Sequence, residues 1–364
     1  MVDDRPPHFA TLAVHGGTAA IATAAIEQRV ALLEAGTAAV AVRSGPLLLV
    51  TALQPLMRPG DHVIIARQAA HASLAEAEAR FAAFGWEVRW ADVDEQASFE
   101  RAVTPKTQAI LVAVIAASGE VADIAALAMV AKRAQVPLIV DNGIATPALC
   151  RPIEFGADIV VLSDGRFVAG MDAGIGFIVD GGRFNWLGPR RYPALSEKRA
   201  AGNGVPLAEA VGNFAYAAAC REFMGPAALS FDAERVTAGL ETLPIRMAQH
   251  TANARAVAEA LAEHKAIASV AYAGLPGDRH HTLAQKYCRG AGGALITFRV
   301  DGGAERAGTV MSALMLIAAA SDQSPAKSSL VAAGDSADGM LTLHIGLEDP
   351  ADVIADLEQA LAAS

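Results

Sequence analysis

Cysteine is scarce in this chain, and the three present, Cys150, Cys220 and Cys288, are odd in number and far apart. That argues against a disulfide framework or a zinc cluster and is what a reducing compartment would give. Aromatic residues are only 5% of the sequence against 53% hydrophobic overall, so the core has to be built from Ala, Val, Leu and Ile rather than from rings. Positive charge is in deficit: 29 Lys plus Arg against 39 Asp plus Glu leave a net charge of −10, with no basic tract anywhere. A nucleic-acid or anionic-membrane partner is therefore not expected. Mean hydropathy is +0.33, yet every apolar run is cut by charge, Gly or Pro before reaching the roughly 20 residues of a membrane helix. The opening segment MVDDRPPHF has neither the basic flank nor the apolar stretch of a secretory signal, and a cytoplasmic protein is expected.

Common site grammars are missing as well. There is no G-x-x-x-x-G-K-[ST] loop, no H-E-x-x-H, no G-x-S-x-G and no spaced pair of C-x-x-C. The glycines of Gly170–Gly176 are not in G-x-G-x-x-G order and precede an expected strand rather than a helix, so a dinucleotide site has little support.

What is present is an alternation of short β-branched runs with longer Ala-rich periodic segments from residue 36 to about 180, the pattern of an α/β sheet covered by helices on both faces. Strands are expected at Ala39–Arg43, Asp61–Ala66, Glu87–Val93, Gln108–Val114, Pro137–Asp141, Asp158–Ser163 and Gly174–Asp180, with helices such as Ala72–Phe84 and Val121–Ala134 between them. The Gln108 and Pro137 strands alternate least and should be central. A Gly-rich loop over 181–189 and a polar connector over 192–206 follow. Helical patterns then run over Leu207–Glu222 and Phe231–His264, the second ended or kinked by Pro244. Strands at Ser269–Tyr272 and Gly293–Val300 and a helix at Pro350–Ala363 complete the chain. The expected division is an N-terminal arm and helix over 1–35, a large domain over 36–224 and a smaller α+β domain over 225–364.

A series of segments in order along the chain resembles the Cys/Met-metabolism family of pyridoxal-phosphate (PLP) enzymes, in particular its O-acetylhomoserine sulfhydrylase branch. They include Thr11–Gly17 (TLAVHGG), Arg58–Val63 (RPGDHV), Val140–Pro147 (VDNGIATP), Phe155–Val161 (FGADIVV), Val179–Trp186 (VDGGRFNW), Gly239–Pro244 (GLETLP), Tyr272–Pro276 (YAGLP) and Ile345–Asp349 (IGLED). The resemblance implies a fold type I transferase, with a mainly parallel seven-stranded sheet in the large domain. It also implies a cofactor held as an imine on a lysine, acting as electron sink for replacement at the γ-carbon of an amino acid.

Taken position by position, most groups that this chemistry needs are replaced. Arg166 stands at the place of the imine lysine, and a guanidinium has no free amine pair with which to form an imine or shuttle a proton. None of the six lysines, Lys106, Lys132, Lys198, Lys265, Lys286 and Lys327, is expected to face the site. Asp141 matches the partner of the pyridine nitrogen; Ser163 is retained as a hydroxyl donor, next to Gly165 where relatives have threonine. Ser44 and Gly45 match the phosphate cup, but Pro46 deletes one N–H of that cup and reads more readily as a helix-starting proline. The ring-stacking tyrosine falls on Ala70, with His71 beside it as a solvated or capping residue. Thr342 stands where relatives carry the arginine that grips the substrate carboxylate. Thr18–Ile26 is short and Ala-rich where they have an arm reaching a neighbouring subunit. His280 and His281 are read as solvated rather than metal-binding, and Trp186 as packing the connector.

These substitutions lead us to expect a pseudoenzyme: no catalytic residue for the family reaction, vestigial cofactor contacts at Asp141, Ser163, Gly45 and Ser44, and no metal. No covalently held cofactor is expected, with PLP bound only non-covalently. The expected role is a non-catalytic subunit, regulator or ligand-binding protein that assembles with itself or with an active paralogue; the alternative is an active transferase or lyase of sulfur amino acid metabolism holding PLP or another phosphorylated ligand without a covalent bond.

Overall fold

The seven expected strands of the first half all form. In a computed structural model, which describes residues 19–69, 72–163, 165–188, 191–198, 204–225, 231–319, 325–333 and 338–363, they are β1 (Ala38–Arg43), β2 (His62–Ala66), β3 (Glu87–Ala91), β4 (Thr107–Ala113), β5 (Leu138–Asp141), β6 (Ile159–Leu162) and β7 (Ile175–Asp180). They lie in one sheet in the order β1-β7-β6-β5-β4-β2-β3. β3, β2, β4, β5 and β6 run parallel, and β7 and β1 are antiparallel to their neighbours. The central β5 and β6 are buried at every residue, whereas the edge strand β3 alternates exposed with half-buried positions. That is the difference expected between a strand covered on both faces and one at a rim.

A second, four-stranded antiparallel sheet has the order β10-β11-β9-β8, with β8 at Ile267–Ala271, β9 at Leu295–Val300, β10 at Ser329–Ala332 and β11 at Met340–His344. Its own core gathers Tyr272, Phe298, Leu341 and Leu357, while Ala284, Tyr287 and Cys288 pack into the core of the large sheet.

Two expected helices differ. The Leu207–Glu222 pattern is split into helices Leu207–Val211 and Ala215–Met224 by a single 3-10 turn at Gly212–Phe214, where Gly212 takes φ +57°; a left-handed residue cannot continue a helix. Conversely, Pro244 does not end its helix, which runs unbroken over Ala233–Glu263. Around this turn the Thr242 hydroxyl donates to the Ala238 carbonyl and the Arg246 guanidinium to the Gly239 carbonyl at 2.8 Å. The stretch expected as a short Ala-rich arm belongs, from Ala19, to helix Ala19–Leu33.

Candidate functional site

In a parallel sheet the C-terminal strand ends, where the chain turns into the covering helices, form the natural crevice. Asp141 is the last residue of β5 and Ser163 follows β6 directly, so the pairing of these two strands brings them together. The Asp141 carboxylate is 8% exposed; it accepts a short hydrogen bond from the Ser163 hydroxyl and backbone bonds from Gly143 at 2.9 Å and Ser163 at 3.5 Å. Ser44 and Gly45 join β1 to helix Pro46–Leu53. The Ser44 N–H donates to the Gly174 carbonyl at 3.1 Å, and Gly45 takes φ +87°.

Beyond Ser163 the chain presses hard against β7: a Cβ added at Gly165 would lie 1.9 Å from the Ile175 carbonyl oxygen. A threonine cannot stand on this backbone at position 165. Arg166 sits in the short helix Gly165–Ala169, half-buried, and lines a cleft with Phe167, Pro325, Lys327, Ser329, His344 and Ile345. Lys327 thus corrects the expectation that no lysine faces this region; residues 161 apart in sequence that line one cleft leave no local signature. Thr342 is buried on β11 with its hydroxyl 3.3 Å from that of Thr297, which donates to the Ala117 carbonyl at 3.0 Å. A small hydroxyl held this way does not provide the fork with which arginine grips a carboxylate.

Arg246, which the sequence reading passed over, anchors the helix that carries Arg166. Its guanidinium donates to the carbonyls of Phe167 at 2.7 Å and Val168 at 3.0 Å, and burial lowers its pKa to about 10. Replacing Arg246 by alanine would strip charged donors from three part-buried carbonyls, those of Phe167, Val168 and Gly239, at a cost of about 2–4 kcal/mol. Urea denaturation of Arg246→Ala checks this; an unchanged midpoint would contradict it.

The remaining expectations divide. Trp186 packs the connector, stacked on Tyr216 with ring centroids 5.5 Å apart. His280 is not solvated: it is 5% exposed, with its ring 3.3 Å from the Asp94 carboxylate, and His281 lies against the Ala273 carbonyl at 3.0 Å. No cluster of three or more metal-ligating side chains occurs among the described residues. Ala70, His71 and the Thr11–Gly17 segment lie outside them.

Comparison with known proteins gives a consistent answer. Residues 16–362 match the family described as Cys/Met metabolism PLP-dependent enzyme. The chain is 33% identical to O-acetyl-L-homoserine sulfhydrylase of Leptospira meyeri, over 93% of its own length and 83% of that protein's. It is 35% identical to O-acetyl-L-homoserine sulfhydrylase 1 of Thermus thermophilus, over 93% and 85%. A solved structure of a putative O-acetylhomoserine (thiol)-lyase from Campylobacter jejuni superposes with a TM-score of 0.87 at 28% identity, covering 94% of this chain and 86% of that one.

That structure contains N'-pyridoxyl-lysine-5'-monophosphate. The expectation that the cofactor is not held covalently is overturned by these matches, because PLP joined to lysine is what the family indicates. The residues around this crevice fit that group only in part. Asp141 and Ser163 are in place, but Pro46 offers no N–H, Gly165 no hydroxyl and Arg166 no amine; the cleft's own amine is that of Lys327. By the extent of the match and the shared α/β architecture, the chain belongs to the Cys/Met metabolism PLP-dependent enzyme family.

Proposed function

We propose that this chain is a family member that does not carry out sulfhydrylation of O-acetylhomoserine and acts as a cytoplasmic non-catalytic subunit, regulator or ligand-binding protein. What supports this reading is Arg166, which we assign to the place of the imine lysine. A guanidinium stays protonated at neutral pH and cannot take up the substrate's α-proton. Thr342, engaged with Thr297, adds to it, since the carboxylate of an amino-acid substrate finds no arginine there.

The direct test is to incubate the protein with PLP, O-acetylhomoserine and sulfide and to measure homocysteine. The expected yield is that of a protein-free control, and Arg166→Lys alone is expected to leave it there, because groups that act as a unit are not restored singly. Robust turnover by either protein would overturn the proposal.

A dimer or larger assembly, of this chain or with an active paralogue, belongs to the same reading. Met315 and Ile245 are 83% and 75% exposed, and such apolar side chains are readily buried between subunits. Light scattering at micromolar concentration should give at least twice the 37.5 kDa chain mass in the homo-oligomeric case. A monomer that also fails to associate with the paralogue would refute it.

A further inference from the structure

The helix His281–Cys288 lies in the chain between β8 and β9 of the small sheet, yet it is held against the large one. Ala284, Tyr287 and Cys288 enter the large core, and the Tyr287 ring meets Phe155 edge to face with centroids 4.8 Å apart. Polar contacts secure both ends of the helix. At its C-terminal end the Asp123 carboxylate accepts hydrogen bonds from Lys286 at 3.0 Å and from the Tyr287 hydroxyl. Just before its N-terminal end Arg279 reaches the carboxylates of Asp94 at 2.8 Å and Glu120 at 3.2 Å, and His280 lies beside them. Asp94 follows β3, and Glu120 and Asp123 follow β4, so the helix is fastened to the C-terminal ends of two strands of the large sheet.

The two fastenings differ in what pH does to them. Lysine keeps its charge throughout the neutral range, whereas imidazole takes up or loses a proton within it. The His280 side chain is buried, with Nε2 3.3 Å from an Asp94 oxygen. The two are close but not aligned for a hydrogen bond, and no other group among the described residues bonds that nitrogen. A neutral imidazole gains little from such an approach, because a hydrogen bond is directional. An imidazolium gains the Coulomb attraction, which needs proximity alone and is screened less at a buried site.

The surroundings favour the charged form of the contact. Asp278 accepts the His280 N–H at 2.7 Å, Asp92 accepts the Asp94 N–H at 3.0 Å, and Glu120 lies across Arg279. With Asp94 these are four carboxylates, against the guanidiniums of Arg279 and of Arg67, which acts on Asp92. His281 is turned to other partners, with its ring nitrogens 3.0 Å from the Ala273 carbonyl and 3.1 Å from the Gln285 amide. The helix N-terminus opposes a cation here, but with only about half a positive charge, which does not cancel the carboxylate excess.

We propose that His280 and Asp94 form a pH-dependent clasp. Protonation of the His280 imidazole makes an ion pair with Asp94 that tightens the hold of helix His281–Cys288, and through it of the small sheet, on the large sheet. Loss of the proton loosens that end, while the Asp123 end holds throughout. The hold is therefore firmest in mild acid and weakest above neutrality, whether or not the chain is a catalyst.

Double-mutant cycles read by urea denaturation of the full-length protein test the clasp. The coupling between His280→Gln and Asp94→Asn, expressed as a ratio of unfolding constants, should be about threefold or more at pH 5.5 and close to one at pH 8.0. The coupling between Lys286→Gln and Asp123→Asn should be the same at both, since both of those charges are present at each pH. Should His280→Gln fail to fold, hydrogen exchange of the amides of His281–Cys288 decides alone, with Asp94→Asn altering only a partly exposed loop residue. The ratio of protection in the parent to that in Asp94→Asn should then fall at least about threefold from pH 5.5 to pH 8.0. A His280–Asp94 coupling that is equal at the two pH values or larger at pH 8.0, a change shared alike by the Lys286–Asp123 pair, or a protection ratio that does not fall would overturn the inference.

Discussion

Gly239→Ala is expected to destabilise the protein by more than about 4 kcal/mol, enough to remove much of the stability of an ordinary domain. Gly239 lies in the long helix Ala233–Glu263 where it crosses the helix carrying Arg166. A Cβ there would fall 2.0 Å from the Ala169 carbonyl oxygen, 2.3 Å from its carbon and 2.7 Å from its Cα. All three are backbone atoms, so no side chain can rotate away; one helix has to move, and the Arg246 bonds to the Phe167 and Val168 carbonyls would be pulled out of register with it. Ordinary overpacking costs about 1–3 kcal/mol, and contact with fixed backbone at this distance lies beyond that. Gly308→Ala is the control of opposite sign. Gly308 sits inside helix Gly303–Ala313 with nothing within 4 Å of an added Cβ, and alanine there should gain about 0.5–1 kcal/mol from helix propensity alone. Urea denaturation of the three proteins decides the matter: a Gly239→Ala midpoint near that of the parent would show that the helices are free to separate.

Stability is also expected to fall by several kcal/mol between pH 5 and pH 8, and Glu34 is the main cause. Its carboxyl is fully buried; one oxygen accepts a bond from the Asn142 side-chain amide at 2.8 Å, and the other has no partner among the described residues. Burial raises its pKa from 4.5 to about 8, against the opposing effects of the Asn142 bond and the Arg151 charge. The folded state therefore keeps a proton that the unfolded chain releases. The stability associated with that proton is fully present below pH 4.5 and is lost as the pH rises toward 8, at a slope of about 1.4 kcal/mol per pH unit where the difference is a whole proton. Asp158 and Asp180, both raised by burial from 3.8 to about 6, act with the same sign but finish titrating earlier. Glu34→Gln should consequently flatten the profile between pH 6 and 8 while keeping the loss between pH 4 and 6. Denaturation midpoints at half-unit steps would show it, and an unchanged slope above pH 6 in the variant would refute the assignment to Glu34.

The strands of both sheets through β9 were legible because their signal is local. A short apolar run rich in β-branched residues and bounded by Gly, Pro or charge favours a buried strand over a helix, and the strand ends at Asp141 and Ser163 followed from that. That Arg166 cannot act as an amine is likewise a property of the sequence, since no fold can make a guanidinium into a lysine. Family membership was legible as well, because segments such as Val140–Pro147 and Phe155–Val161 occur in order along the chain.

Other features exist only once distant elements meet. The helix runs on through Pro244 where it packs against the Arg166 helix, so helix propensity alone misplaces its end. His280 is buried beside Asp94, 186 residues away in sequence. The cleft is the clearest case: Arg166 is brought to Lys327 and His344 by the crossing of the two domains and by the pairing of β10 with β11. No periodicity or motif records such a meeting, because the free energy that enforces it comes from burying the apolar faces of the two sheets and their helices, not from the polar side chains it brings together.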